Sequence, residues 1–197
     1  NFMKIGLIVF ARLSSTRLPK KVFTNINGQK LIDIIFKRCE LVAENHPIII
    51  ATSSQKEDDE IENFAKINKI DLFRGDLSDV ASRAIECCIY YKLDGFVRIC
   101  ADRPFLPLEL IQKGLDVFKN KKVDLVTNHL NPSYPKGCMT EIISLSALKE
   151  AYKQGLTNFE KEHITNYFYK NKNFFKIIEL PKGHKSWNKI NLSIDTL

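Results

Sequence analysis

The sequence has no membrane-length apolar run, no paired-cysteine motif and no standard nucleotide-loop fingerprint. The apolar stretch from Ile5 to Phe10 falls far short of the roughly 18–20 residues that cross a bilayer. It is also too short for a signal-peptide core and runs into a basic loop, so it reads as a strand. C-x-x-C is absent, and the five cysteines (Cys39, Cys87, Cys88, Cys100 and Cys138) are an odd number. A disulfide framework is therefore excluded, and all five read as reduced and mostly structural, in a reducing, cytoplasmic compartment. The four histidines are scattered, which argues against zinc. G-x-x-x-x-G-K-[ST] and G-x-G-x-x-G are both missing, so the chain carries neither a P-loop nor a dinucleotide turn. It shows no internal repeat and no low-complexity tail.

What is present suits one soluble domain over residues 1–197. With 44% hydrophobic and 27% charged residues, a chain of this length can bury a continuous core without staples. The net charge of +7 raises nucleic acid as a partner. The lysines are spread over helix faces and turns, however, without regularly interleaved aromatics, so no nucleic-acid platform is expected. No membrane partner is expected either. A basic balance also suits an enzyme acting on anions.

Apolar runs alternate with amphipathic stretches. Strands are predicted at 4–10, 47–51, 71–73, 95–100 and 123–126. Helices are predicted at 30–43, 56–68, 78–92 (capped by Ser78 or Asp76) and 108–118, the last starting after Pro107. This alternation predicts an α/β fold with a mostly parallel sheet covered on both faces. Its ligand site should lie outside the carboxyl ends of the strands. After Asn128 the pattern changes. Strands are expected at 141–145, 175–180 and 190–194, with helices from Ser146 to Tyr152 and over 158–171. This half could supply a small antiparallel flap and an acceptor pocket.

The first strand delivers the chain into Ala11-Arg12-Leu13-Ser14-Ser15-Thr16-Arg17-Leu18-Pro19-Lys20-Lys21. Four cations, three hydroxyls and no acid make it either a phosphate cradle or a solvated basic loop. The segment, with Gly28-Gln29-Lys30-Leu31-Ile32 after it, resembles the signature A-R-x-x-S-T-R-L-P-G-K of the cytidylyltransferase family. That family includes 3-deoxy-manno-octulosonate and acylneuraminate cytidylyltransferases and the spore coat polysaccharide biosynthesis protein F group. Lys20 replaces the family glycine.

Further segments match in the same order. Ala51-Thr52-Ser53-Ser54 followed by Glu57-Asp58-Asp59 resembles A-T-S-x-x-x-x-D-D. Phe73-Arg74-Gly75-Asp76 with Asp79, Val80 and Arg83 resembles F-R-G-x-x-x-D-V-x-x-R. Asp79 and Arg83 read as a scaffold for Arg74 or as a surface pair at i, i+4. Val97-Arg98-Ile99-Cys100-Ala101-Asp102-Arg103-Pro104 resembles V-R-I-x-G-D-x-P, and Leu192 to Leu197 resembles the family's second aspartate motif. Tyr134-Pro135-Lys136-Gly137-Cys138-Met139-Thr140-Glu141 and Glu162-His163-Ile164-Thr165 match the spore coat group, with Met139 where an acid is usual.

The resemblance implies a Rossmann-like three-layer α/β/α nucleotide-diphospho-sugar transferase fold, with nucleotide binding over 3–128 and acceptor binding over 129–197. It implies a nucleotide site of Ala11, Arg12, Ser14, Ser15, Thr16, Arg17, Lys21, Thr52, Ser53, Arg74 and Arg98. Arg12, Lys21 and Asp102 take catalytic roles, and Asp102 and Asp195 hold Mg2+. Tyr134, Lys136, Glu141 and His163 face the acceptor, His163 alternatively being a satisfied histidine at a helix-to-core contact. The implied reaction couples CTP to an acidic sugar for a cell-surface polymer, and a homodimer is usual in similar proteins. Two alternatives stand beside it. One is a nucleotide-sugar-dependent glycosyltransferase, disfavoured because D-x-D is absent. The other is a non-catalytic nucleotide-binding homologue.

Overall fold

The structure is a computed structural model that describes residues 3–14 and 18–194. A central strand, β1 (Ile5–Phe10), forms from a run of residues buried on both sides. That is the pattern expected of a parallel strand covered on two faces. It pairs in parallel with β4 (Ile48–Ser53) on one side and β6 (Gly95–Cys100) on the other. Beyond β4 lies parallel β5 (Asp71–Gly75). Beyond β6 come β8 (Glu141–Ser144), β7 (Leu125–Thr127) and β9 (Ile177–Glu179), in that spatial order. Only β8 runs against its neighbours in this seven-stranded sheet.

Alternate strand residues feed two cores. Leu7, Val9 and Ile50 pack with α1 (Leu31–Ala43), α2 (Asp59–Asn68) and α4 (Leu108–Asn120). Ile8, Ile49 and Ala51 pack with α3 (Val80–Tyr90), α5 (Leu145–Lys153) and the short α7 (Asn166–Lys170). The three-layer α/β/α expectation holds. From β1 the chain steps outward to β4 and β5, then returns to β6 on the other side of β1. This reversal opens a crevice at the carboxyl ends.

Several details differ from the sequence reading. The small antiparallel sheet lies in the first half, where β2 (Asn25–Ile26) pairs with β3 (Gln29–Lys30). The second half instead contributes the antiparallel strand of the main sheet. Asp79 caps α3 through Ser82 N, while Asp76 accepts from Ser78 N and Asp79 N one turn earlier. Ser144, not Ser146, caps α5. The helix expected over 158–171 is two pieces, α6 (Asn158–Glu162) and α7, because the chain breaks at His163–Thr165. No strand forms over 190–194; Asn191 makes an isolated bridge to Lys136. Cys87 and Cys88 are both buried in one cluster, since α3 is covered by the sheet and by other helices. All five cysteines are free.

Gly95 starts β6 where two layers touch. A Cβ there would lie 2.7 Å from the Ile143 carbonyl oxygen and 2.8 Å from the Phe118 ring. Gly95→Ala is expected to lower unfolding free energy by about 2–3 kcal/mol, as overpacking against backbone does, measured by urea denaturation.

Candidate nucleotide site

The loop after β1 is anchored from beneath. Leu13 N donates to Asp58 Oδ1 at 2.7 Å, Ser53 N donates to Asp58 Oδ2 at 3.2 Å, and Ser53 Oγ donates to the same oxygen. Asp58 is 1% exposed, so these bonds form out of water, where losing one is costly. One carboxylate thereby ties the loops after β1 and β4 together. Ala11 N adds a bond to Ala51 O. Lys20 N donates to Leu13 O and closes the loop. Lys20 adopts a left-handed φ of 53°, the conformation a glycine takes freely and other residues take at a cost of about 1 kcal/mol. Its ammonium pairs with Glu60. Ser14 is exposed. Ser15, Thr16 and Arg17 lie outside the described residues.

The structure brings Lys21 and Asp102 together. Lys21 Nζ is 2.9 Å from Asp102 Oδ2, just past the end of β6. Asp102 Oδ1 is shielded from solvent yet has no hydrogen-bond partner, and Arg103 Nε stands 3.8 Å from it. A buried carboxylate oxygen left over in this way fits a cation ligand. Ile194 N donates to Asp102 O at 2.9 Å, so the residue before Asp195 lies against Asp102. Asp195 itself is outside the described residues. Arg12 Nη2 pairs with Glu162 Oε1 at 2.8 Å, bridging the loop to α6.

Other expected contacts are already occupied. Arg74 donates to Ser53 O, Gln55 O, Asp59 and Glu62, and so clamps the loop after β4. Thr52 is buried, with an unpartnered Oγ1. Asp79 accepts from Tyr152 OH and pairs with Lys161, so neither the surface pair with Arg83 nor a scaffold contact to Arg74 forms. Arg83 is buried instead. Arg98 and Glu141 pair with each other at 2.9 Å, and Tyr169 OH donates to Glu141 at 2.7 Å. Burial raises the Glu141 carboxyl, but Arg98, Tyr169 and Arg103 outweigh it and hold the group below the usual carboxylate range. Both residues of this pair are engaged with the protein, which joins β6 to β8.

Tyr134 and Lys136 line a cavity of about 110 Å³ with Asn128, His129 and Met139. Arg103 Nη1 approaches the Met139 sulfur at 3.7 Å, which connects this cavity to Asp102. Tyr134 OH donates to Pro181 O. His163 is exposed and stacks on Phe159 with centroids 4.5 Å apart, so it is not a core histidine. A larger cavity of about 490 Å³, between Phe23 and α2, contains none of the expected site residues.

A family model described as Cytidylyltransferase matches residues 7–191. The chain belongs to the cytidylyltransferase family. This nucleotidyltransferase is 28% identical to the Bacillus subtilis spore coat polysaccharide biosynthesis protein SpsF, covering 98% of this chain and 81% of that one. It is 33% identical to a Francisella tularensis 3-deoxy-manno-octulosonate cytidylyltransferase, but over 62% of this chain and only 49% of the relative's length. A solved cytidylyltransferase from Leptospira borgpetersenii superposes with a TM-score of 0.91 at 28% identity, covering 98% of this chain and 82% of that one.

In this cytidylyltransferase, sequence reasoning missed the anchoring role of Asp58 and the Arg12 partner Glu162. Both lie inside recognised motifs, A-T-S-x-x-x-x-D-D and E-H-[VI]-T, which was the available signal. Asp58→Ala is expected to cost about 2–3 kcal/mol by orphaning buried donors, and to weaken nucleotide binding; chemical denaturation and calorimetry check the two effects. Glu162→Gln releases Arg12 and should tighten tripolyphosphate binding about two- to five-fold at low salt, with less gain at high salt, read by titration.

Proposed function

We propose that the chain transfers the cytidylyl group of CTP to an acidic sugar or sugar-like acceptor, releasing pyrophosphate, for cell-surface polysaccharide synthesis in the cytoplasm. The single observation that carries this reading is Asp102, with one oxygen on Lys21 and the other buried without a hydrogen-bond partner. It stands beside a cationic loop at the carboxyl end of a parallel strand. The names of the spore coat and octulosonate relatives support the polymer and the sugar acid. Among the described residues no helix is long and apolar enough to cross a membrane.

An acceptor oxygen attacks the α-phosphorus in line, and the bond to the bridging oxygen of the leaving pyrophosphate breaks. Such chemistry needs positioning and charge neutralisation rather than covalent help. Lys21 exchanges Asp102 for triphosphate oxygens, and Arg12 exchanges Glu162 for them. Arg17 adds a third cation from the same loop. Mg2+, held by Asp102 and Asp195, would supply further charge stabilisation on the triphosphate. Tyr134 and Lys136 line the cavity that takes the acceptor, with Arg103 behind its Met139 wall. Lys136 and Arg103 offer donors for a carboxylate.

Pyrophosphate release with each of four nucleoside triphosphates and a panel of acidic sugars tests the reading. CTP with one acceptor should give release; release only with another triphosphate would overturn the choice of base. Asp102→Asn should lower turnover by about a hundred-fold or more, and near wild-type turnover in magnesium would remove Asp102 from the mechanism.

A further inference from the structure

The cavity of about 490 Å³ beside α2 is left unused by the scheme above. Its volume falls within the roughly 300–1,000 Å³ of small-molecule sites. Its floor is formed by the rings of Phe23 and Phe64, tilted with centroids 5.8 Å apart, and Phe64 packs in turn on Phe36 in the core. Ile67 lines the outer rim and is 81% exposed. Over the floor stands the ammonium of Lys30, 5.2 Å from the Phe23 centroid and 6.0 Å from that of Phe64.

The polar lining says what chemistry fits. Lys30 makes no ion pair among the described residues. Asp33, in the first turn of α1, makes neither an ion pair nor a side-chain hydrogen bond among them. Two opposite charges thus line one cavity without meeting. Glu60 lines it as well and is held by Lys20. The Asn63 side chain makes no hydrogen bond among the described residues, while Asn68 Nδ2 donates to Phe64 O at 2.8 Å. A simple anion would leave Asp33 unmet and face Glu60. A simple cation would compete with Lys30 for the rings. A purely apolar molecule would take water from both charges and replace none of it. A molecule with one carboxylate, one ammonium and an apolar body meets all three demands.

We propose that this cavity binds an apolar α-amino acid as a regulatory ligand. Its carboxylate meets Lys30 and the Asn63 amide, its ammonium meets Asp33, and its side chain covers Phe23, Phe64 and Ile67. The cavity wall is continuous with the loop after β1. Phe23 N donates to Lys20 O at 2.8 Å, and Glu60 pairs with the Lys20 ammonium. Lys20 N closes that loop on Leu13 O at 3.2 Å. A ligand ammonium near Glu60 weakens its hold on Lys20, and the released cation adds to the charge of the loop. Only this coupling rests on the nucleotide reading given above; the site itself does not.

The test is a titration of the nitrogen-15-labelled protein, without nucleotide, with phenylalanine, N-acetylphenylalanine and phenylalaninamide, read from the side-chain amide signals of Asn63 and Asn68. Phenylalanine should shift them saturably with a dissociation constant of about a millimolar. Each blocked analogue should bind about five-fold more weakly or worse. Lys30→Met should lose the preference over phenylalaninamide and keep the preference over N-acetylphenylalanine. Asp33→Asn should do the reverse, a pair of opposite patterns that misfolding cannot produce. Absence of a saturable shift in wild type overturns the site. Equal binding of the three compounds, or variants that leave both preferences intact, overturns the amino-acid assignment. For the coupling, saturating phenylalanine should tighten tripolyphosphate about two-fold at low salt in wild type and not in Glu60→Gln. An unchanged affinity in wild type overturns the regulatory role. A wild type that binds phenylalanine but no tripolyphosphate overturns the nucleotide reading and the coupling, not the site.

Discussion

Cations gathered at one edge of a parallel sheet repel one another unless acids are interleaved with them, and that constraint organises this molecule. Each basic side chain expected to meet phosphate and seen in the described residues has an acid from a distant segment. Lys21 has Asp102, 81 residues away, and Arg12 has Glu162, 150 residues away. Lys20 has Glu60, and deeper in the sheet Arg98 has Glu141. The pairs differ in depth. Arg12 and Glu162 are 41% and 44% exposed, a setting where a pair contributes about 0–1 kcal/mol and yields readily to a triphosphate. Arg98 and Glu141 are 11% and 2% exposed. Removing either there would strand a buried charge at a cost of about 3–5 kcal/mol. The surface pairs are exchangeable, while the buried one is structural.

That difference explains how far the sequence could be read. The alternation of strands and helices through residue 126 follows from local patterning, and the elements appear within a few residues of where periodicity put them. Asp102 sits just past the end of β6, the position the α/β rule singles out, and Lys21 reaches it from the far end of the loop that follows β1. The reading weakened wherever burial depended on a partner far along the chain. Nothing local distinguishes Arg83 from a surface helix residue; only the close packing of Gly75 and Phe10 shows that it turns inward. Arg98 and Glu141 share motifs with site residues, and only the pairing of β6 with β8 reveals that they neutralise each other. The break between α6 and α7 was hidden for a similar reason. The apolar residues Phe159, Ile164 and Phe168 look periodic, but Phe159 is exposed while Ile164 and Phe168 are buried.

The two departures from the family pattern are now physical statements. Lys20 occupies a left-handed backbone position, so the chain tolerates strain of about 1 kcal/mol there, offset in part by the pair with Glu60. The loop's turn is retained although the glycine is not. Met139 places a polarizable sulfur against Arg103 where a carboxylate would have neutralised it. A thioether is a weak acceptor, so the charge that Arg103 meets most directly is Asp102, whose Oδ1 lies 3.8 Å from its Nε.

The Arg12 contact also couples the two halves. Glu162 ends α6, whose neighbour His163 is the C-cap and stacks on Phe159. When a triphosphate claims Arg12, Glu162 loses its partner beside that exposed surface. The released carboxylate is then free to move at the end of α6. On the proposed reading, nucleotide binding would change the charge presented at the end of α6 without any rearrangement of the sheet. Because coupling between two sites is reciprocal, an acceptor that draws Glu162 away from Arg12 would in turn tighten the nucleotide. Ordered binding then needs no lid, only an ion pair weak enough to exchange.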